Sequence, residues 1–322
     1  LPGVQPNKGA VSKTSYEDFM VLLFVGAFLF IDFLPYFKSF EIIAPQFLYL
    51  TILNIVVSFY IYSNPVLHQS SLIYIFRRSY IFIAYIIFIL LCSISVFFAK
   101  NISLGIVSLA EIIVAFTMVI NFTTLFYNRL HLVFKVAFLV GVAAFFQSGR
   151  VLYNFYSETN LKPIFEVLNS NVMKGNAGNI NILAASLLFK VPFIYIGITK
   201  FTNWKKWFLA AALVFATAVI FLISARAAIL SLIVISVLFL VYCLKTSEVK
   251  VKAVLQIAFI VIPLAISFFA ANAIFEQSKL DPRFVSTTER LSQLNAEDGS
   301  INRRIVFYRA AIDLAKASPA VG

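Results

Sequence analysis

Residues 80–99 read YIFIAYIIFILLCSISVFFA, a stretch without a single charged side chain. A membrane-spanning helix needs about 20 consecutive apolar residues, so this stretch predicts one span. Runs of similar length recur along the chain, at 19–36, 42–62, 102–122, 132–147, 180–199, 207–223, 227–244 and 253–274. Helices satisfy their own backbone hydrogen bonds in lipid, and no two-residue alternation suggests a barrel. We therefore predict an all-α, polytopic transmembrane helical bundle with about nine spans.

The composition supports a membrane protein. Hydrophobic residues make up 61% of the 322 residues and charged residues only 12%, whereas soluble domains are about one quarter charged. The net charge of +12 would suggest nucleic acid as a partner of a soluble protein. In a membrane protein it is better explained by basic cytoplasmic loops, so we expect a lipid bilayer and no nucleic acid as partner. Cys92 and Cys243 both fall inside apolar runs and predict no disulfide framework.

The distribution of Lys and Arg predicts the orientation. With a cytoplasmic N-terminal segment at 1–18, thirteen lysines and arginines are counted in cytoplasmic segments, Lys190 among them, against six in the short outer loops. The bundle then occupies 19–275, and 276–322 begins a periplasmic loop. We expect a multi-pass protein of the bacterial inner membrane. We also expect the chain to be a fragment, trimmed at both ends, because it begins with Leu1 and its tail stops within a motif.

Charged residues within the apolar runs are few, and Asp32, Glu111 and Arg226 stand out. A charge inside a bilayer costs about 3 kcal/mol on insertion scales, so each needs an explanation. Asp32 is close to an interface, where we expect it to be solvated. Glu111 either pairs within the bundle or serves a purely structural role. Arg226 begins the eighth run, where a snorkelling side chain is the simplest explanation.

Two predicted helix starts carry polar groups on the same, outer side. Ser224 could cap the helix that has Arg226 in its first turn, where the helix dipole and a guanidinium both favour an anion. Asn176, Asn179 and Asn181 could cap the sixth helix and offer amide donors and acceptors. This arrangement suits a diphosphate and a sugar at the outer membrane surface. Gly and Asn at helix entries can also be ordinary caps.

The outer tail contains a third polar stretch. Arg303, Arg304 and Arg309 are concentrated in a segment of mixed charge, and apolar residues recur at helical spacing over 304–317. This segment predicts an amphipathic helix, lying on the membrane surface or capping the bundle. A solvated helix face explains the same charges.

The three stretches resemble the O-antigen ligase and O-antigen polymerase family of membrane glycosyltransferases over about 174–322. The family's Gly-Asn-x-Asn element is matched at 178–181, and its Ser-Arg-x-Ala element at 225–228 with Ala225 in place of Ser. An Arg, an aromatic residue four positions later and a Pro-x-x-Gly turn are matched by Arg304, Tyr308 and 319–322. Tyr308 stands where Trp is commoner.

The resemblance implies an inverting, metal-independent enzyme without cofactors. Such proteins transfer a glycan from a polyprenyl-diphosphate carrier to an acceptor at the periplasmic face, the acceptor being lipid A core, a growing polysaccharide or a protein. It implies diphosphate binding by Arg226, Arg304 and Arg303, and substrate binding by Asn179, Asn181 and Ser224. The chain has no His, Cys and Asp cluster with metal-ligand spacing. The family's catalytic His is expected beyond Gly322, so no catalytic residue is assigned and the fragment alone is expected to be inactive.

Two other functions remain open. A transporter or flippase of lipid-linked glycans would place ionisable groups near the membrane midplane, where Glu111 is the one candidate. A non-catalytic membrane subunit would not need Arg226. The sequence does not distinguish ligase from polymerase, or one glycan from another.

Overall fold

The structure is a computed structural model that describes residues 8–35, 37, 43–64, 79–246, 250–278 and 299–317. These parts of the chain contain eleven α-helices and no strand, which confirms the all-α prediction. The helices are α1 Lys8–Leu29, α2 Ala44–Ser63, α3 Tyr80–Phe98, α4 Ile102–Phe126, α5 Val133–Thr159, α6 Ile164–Leu168, α7 Ile180–Lys200, α8 Trp204–Ile223, α9 Arg226–Thr246, α10 Lys250–Ser278 and α11 Gly299–Ala317. Short 3-10 helices lie at Phe30–Phe33, Leu130–Leu132 and Asn171–Ala177.

Eight helices in the described residues are long and apolar enough to cross a membrane. They are α2, α3, α4, α5, α7, α8, α9 and α10, and each contains all but at most two residues of one predicted apolar run. The first predicted run, 19–36, falls in α1 and the 3-10 helix Phe30–Phe33, which are not among the eight. Helix α1 begins earlier than the run, in a polar segment that holds Glu17 and Asp18. The chain is thus an all-α polytopic bundle.

The chain divides into two compact units. Unit 1 comprises Leu1–Phe24, Phe47–Leu130 and Leu294–Gly322. Within it, α3 packs on α4 through the stacked rings of Tyr85 and Phe116, whose centroids are 4.7 Å apart. Asn121 of α4 donates to the backbone and side-chain oxygens of Asn54 on α2, at 3.2 and 3.1 Å. Most other side chains on these helices are partly or fully exposed, as suits surfaces that face lipid.

Unit 2 comprises Val25–Gln46 and His131–Gln293 and contains the main core. Its centre is Leu209 of α8, which is fully buried. One methyl group of Leu209 occupies the space that a side chain at Gly141 of α5 would need, and the other the space at Gly197 of α7. The two glycines therefore allow α5, α7 and α8 to approach closely, as small residues do in membrane helix packing.

Short connections set the direction of the helices in unit 2. Only 201–203 separate α7 from α8, and only Ser224 and Ala225 separate α8 from α9. Such short links make consecutive helices antiparallel, so α7 and α9 run in parallel. Helix α10 runs parallel to α8, because Phe259 packs on Trp207 nearer the starts of the two helices and Ser267 bonds Thr217, at 2.7 Å, further along both. The starts of α7 and α9, the end of α10 and the 160–179 segment consequently share one end, which we call the loop end of unit 2.

Candidate functional site

The start of α7 is built as the sequence predicts. Asn179 is its N-cap, and the side-chain oxygen of Asn179 accepts a 2.8 Å hydrogen bond from the backbone N–H of Asn181. Gly178, just before the cap, has φ 70°, a left-handed conformation that favours glycine. Both Asn179 and Asn181 are exposed at the loop end, so their amides are accessible to a ligand.

Arg226 occupies the first position of α9, also as predicted. Its side chain is partly exposed at the loop end. Backbone N–H groups at a helix start, together with the helix dipole and a guanidinium, make this position suitable for an anion. The Ala225 carbonyl accepts the first helical bond of α9, from the backbone N–H of Ile229.

Ser224 ends α8. It is the C-cap of that helix, with a left-handed φ of 55°, and its buried hydroxyl donates to the carbonyl of Phe221 at 3.0 Å. The turn that carries Arg226 is therefore tight. The prediction that Ser224 binds substrate stays a prediction.

The other predicted arginines lie in unit 1. Arg303 and Arg304 belong to α11, which begins five residues before the predicted segment 304–317 and ends with it at Ala317. The side chains of both arginines lie outside the described residues. The neighbouring Tyr308 and Arg309 are exposed. The Pro-x-x-Gly turn at 319–322 also lies outside the described residues. That Arg303 and Arg304 join Arg226 at one diphosphate stays a prediction.

A buried ion pair in unit 2 was not predicted. Lys190 was placed in a cytoplasmic loop and Asp32 was expected to be solvated, but the ammonium of Lys190 lies 3.0 Å from the Asp32 carboxylate. Lys190 is only 8% exposed and lies halfway along α7, not in a loop. Its ammonium also donates to the side-chain oxygens of Gln147, at 3.0 Å, and Ser186, at 2.7 Å. The pairing explains how the bundle tolerates a lysine within a candidate span.

The same cluster extends to the loop end through backbone groups. The side-chain amide of Asn176 donates to the carbonyl of Asp32 at 3.1 Å. The amide of Gln46 donates to the carbonyl of Asn176 at 3.0 Å. The sequence suggested that Asn176 helps to cap α7, but the cap is Asn179. Asn176 instead connects the segment before α7 to the 3-10 helix that holds Asp32.

Other charges at the loop end are surface features. Lys162 donates to Glu158 at 2.9 Å, one helical turn away, and this bond raises the pKa of the exposed Lys162. Among the residues that the structure describes, no group of three or more His, Cys, Asp or Glu side chains is placed to hold a metal ion. Metal-independent chemistry stays a prediction from the sequence.

The fold and the loop end define a multi-pass membrane protein with an arginine at a helix start. The family model described as O-Antigen ligase matches residues 211–322. This match supports membership of the O-antigen ligase family and a role in assembly of polysaccharide or lipopolysaccharide. The matched range contains Ser224, Arg226, Arg303 and Arg304, and it begins after Asn179 and Asn181. No curated protein and no solved structure matches the chain.

Proposed function

We propose that the protein transfers a glycan from a polyprenyl-diphosphate carrier to an acceptor at the periplasmic face of the inner membrane. The acceptor is lipid A core, a growing polysaccharide or a protein hydroxyl. The observation that carries the proposal is Arg226, which lies inside the family-matched range and begins α9 at the loop end.

The proposed reaction is a displacement at the anomeric carbon. The acceptor hydroxyl oxygen forms a bond to that carbon and loses its proton to a base, and the bond from the carbon to the diphosphate oxygen breaks. Its electron pair leaves with the diphosphate, so negative charge grows there in the transition state. A guanidinium held at a helix start stabilises such charge without a metal ion. Attack opposite the leaving group inverts the anomeric configuration. None of the described residues is assigned as the base.

Asn179 and Asn181 are proposed to bind the sugar. Their exposed amides begin α7, which lies parallel to α9, so both helix starts present polar groups at the loop end. Arg303 and Arg304 are proposed to complete the diphosphate site. In this proposal the arginines bind the diphosphate leaving group, and the asparagines bind the glycan that is transferred.

The test compares variants of the full-length protein in cells that depend on it for surface polysaccharide. Arg226→Ala should lower transfer on the order of 100-fold, the cost of losing one transition-state charge contact. Arg226→Lys should restore only part of it, because an ammonium keeps the charge and loses the paired hydrogen bonds. Arg150→Ala is the matched control, since Arg150 is an exposed arginine of unit 2 outside the family-matched range.

The readouts are surface glycan and carrier-linked glycan, measured by gel and mass spectrometry. Loss of surface glycan with carrier-linked glycan accumulating on the periplasmic face supports transfer at Arg226. An unchanged profile at normal protein levels would leave Arg226 as a snorkelling helix-end residue and reject the diphosphate site.

A second function, transport or flipping of the lipid-linked glycan, is favoured by the buried pair of Lys190 and Asp32. Ionisable groups within spans mark transport pathways in many membrane proteins. A flippase predicts that carrier-linked glycan accumulates on the cytoplasmic face when either residue is replaced. A transferase predicts accumulation on the periplasmic face, so the same measurement separates the two functions.

A further inference from the structure

We propose that Asp32 and Lys190 are positioning residues that hold the start of α7 in place for the transfer reaction. The proposal rests on the proposed function for its link to transfer. Its structural basis is a chain of contacts that leaves α7 at its midpoint and ends at Asn176, in the segment just before α7.

The first link of this chain is the ion pair. Lys190, in the middle of α7, bonds the carboxylate of Asp32, and the hydroxyl of Ser186 on the same face of α7 donates to that carboxylate at 3.4 Å. Two α7 side chains thus hold one carboxylate of the 3-10 helix Phe30–Phe33. This fixes the 3-10 helix against α7.

The second link runs from the 3-10 helix to the segment before α7. The carbonyl of Asp32 accepts from the amide of Asn176, which is three residues before the Asn179 cap. Gly175 and Gly178 flank Asn176, both with positive φ, at 52° and 70°. Glycine gives this segment more backbone freedom than other residues would, so a side-chain anchor between the two glycines has a large effect on its conformation.

The energetics favour a positioning role over a purely stabilising one. Replacing a buried ion pair by apolar residues of similar size is often neutral or stabilising, so the pair is a poor device for stability alone. What it provides is a directional, long-range link between parts of the chain that are distant in sequence. In this protein that link ends next to Asn179, a residue proposed to bind the glycan.

The test separates the position of the segment from the rate of transfer. Ala177, which is partly buried against the core beside Asn176, becomes the single thiol in a chain with Cys92→Ala, Cys243→Ala and Ala177→Cys. The rate at which a maleimide labels Cys at this position reports how often the segment opens, and it requires no substrate. Transfer is measured in the same background from carrier-linked glycan of the host.

Two classes of variant break the chain of contacts. Lys190→Met and Asp32→Asn each break the ion pair. Asn176→Ala breaks the second link without leaving a buried charge, so it keeps the test valid should the charge variants fail to fold. The matched control is Asn169→Ala, because Asn169 lies in the same 160–179 connection and its amide donates to the carbonyl of Phe165, one helical turn away, at 2.9 Å.

We expect labelling to accelerate about tenfold in each variant of the chain of contacts, as couplings of this kind allow. We expect transfer to fall with it, mainly through kcat, while Asn169→Ala changes neither. The double variant Lys190→Met with Asp32→Asn removes the unpaired buried charge of the single variants, so it should express better than they do. Its labelling should still be faster than that of the parent protein, because the link to the 3-10 helix is not restored. Unchanged labelling in folded Lys190→Met and Asn176→Ala proteins would overturn the proposal. Faster labelling with unchanged transfer would also overturn it.

Failure of the proposed function gives a different pattern. If Arg226→Ala retains full transfer, the diphosphate site is rejected, and the labelling rates still decide whether the ion pair holds the segment. If Asp32→Asn and Lys190→Met instead trap carrier-linked glycan on the cytoplasmic face, the pair serves transport, and the positioning proposal is rejected.

Discussion

The hydroxyl oxygens of Tyr195 on α7 and Ser236 on α9 lie 2.7 Å apart in the core of unit 2. Ser236 donates its own hydrogen to the carbonyl of Leu232 at 2.6 Å, so Tyr195 is the donor to Ser236. This bond connects the two parallel helices whose first turns carry Asn179 and Arg226. It is thus a direct polar contact between the two helices that carry Asn179 and Arg226 at their starts.

Removing this contact should weaken the packing of α7 on α9. We expect Tyr195→Phe to lower the free energy of unfolding by about 0.6–1.7 kcal/mol, the range measured for hydrogen bonds between membrane helices. Thermal unfolding in detergent provides the measurement. Tyr242→Phe is the control, because Tyr242 is on α9 but exposed. An equal loss in both variants would mean that the bond between Tyr195 and Ser236 contributes nothing specific.

The two glycines around Leu209 predict a second, larger effect. Gly197→Ala should destabilise unit 2 by about 1–3 kcal/mol, the usual cost of overpacking a core. Leu209 cannot turn away from the new methyl group, because its other branch already fills the space beside Gly141. Adding Leu209→Ala to Gly197→Ala should remove the clash but regain only part of the lost stability, because the smaller side chain leaves a cavity.

Gly26→Ala is the matched control for Gly197→Ala. Gly26 lies inside α1, and no atom comes within 4 Å of a Cβ built there. We expect a gain of about 0.5–1 kcal/mol, because alanine is the better helix former. Proteolysis midpoints of the two variants in one detergent make the comparison. Equal stability of Gly197→Ala and the parent protein would contradict the packing explanation.

Asn179 allows capping to be separated from substrate binding. Asn179→Ala should cost about 1 kcal/mol of stability, and Asn179→Ser should restore it, because serine also caps helices. If Asn179 binds the glycan, Asn179→Ser remains stable yet transfers poorly, since the amide is gone. The measurements are unfolding temperature and surface glycan in the same cells.

Asn203 provides the matched control for Asn179. It caps α8 in the same manner, accepting from the backbone N–H of Lys205 at 3.2 Å, at the opposite end of unit 2. Asn203→Ser should therefore leave both stability and transfer unchanged. Full transfer by Asn179→Ser would reduce Asn179 to an ordinary cap.

Unit 1 offers a separate test of polar packing. Asn121 is 3% exposed and bonds Asn54, and it accepts from the hydroxyl of Ser58 at 3.1 Å. Asn121→Leu should destabilise the packing of α2 on α4 by about 1 kcal/mol. Crosslinking of cysteines placed on the two helices would report the loss. Thr117→Val is the comparison, because the hydroxyl of Thr117 donates within its own helix, to the Ile113 carbonyl at 2.9 Å.

Local features were predictable from the sequence. The apolar runs predicted the spans because each run is continuous, and Asn179 predicted a cap because capping depends on neighbouring residues. Arg226 was placed correctly at the start of its helix for the same reason. The sequence suggested that Ser224 caps the start of α9, whereas the structure has it as the C-cap of α8. The sequence around it suits both a cap of α9 and the left-handed end of α8, and only the backbone angle decides.

The buried ion pair could not be predicted in the same way. Lys190 lies in the middle of the apolar run 180–199, and its neighbours in the sequence contain no acidic residue that would indicate a partner. The structure shows that it lies on the face of α7 that also buries Leu187 and Ile194. Its partner comes from a helix far earlier in the chain, and a single sequence contains no signal for such a pairing.

The order in which this chain is synthesised gives the ion pair a consequence in time. Asp32 is made first, and Ser186, which shares its carboxylate with Lys190, follows 154 residues later. At about 5–20 residues per second, translation takes roughly 8–30 seconds to cover that distance. During this interval the ammonium of Lys190 is not yet available to the carboxylate. The 3-10 helix Phe30–Phe33 can therefore dock against α7 only after α7 has left the ribosome.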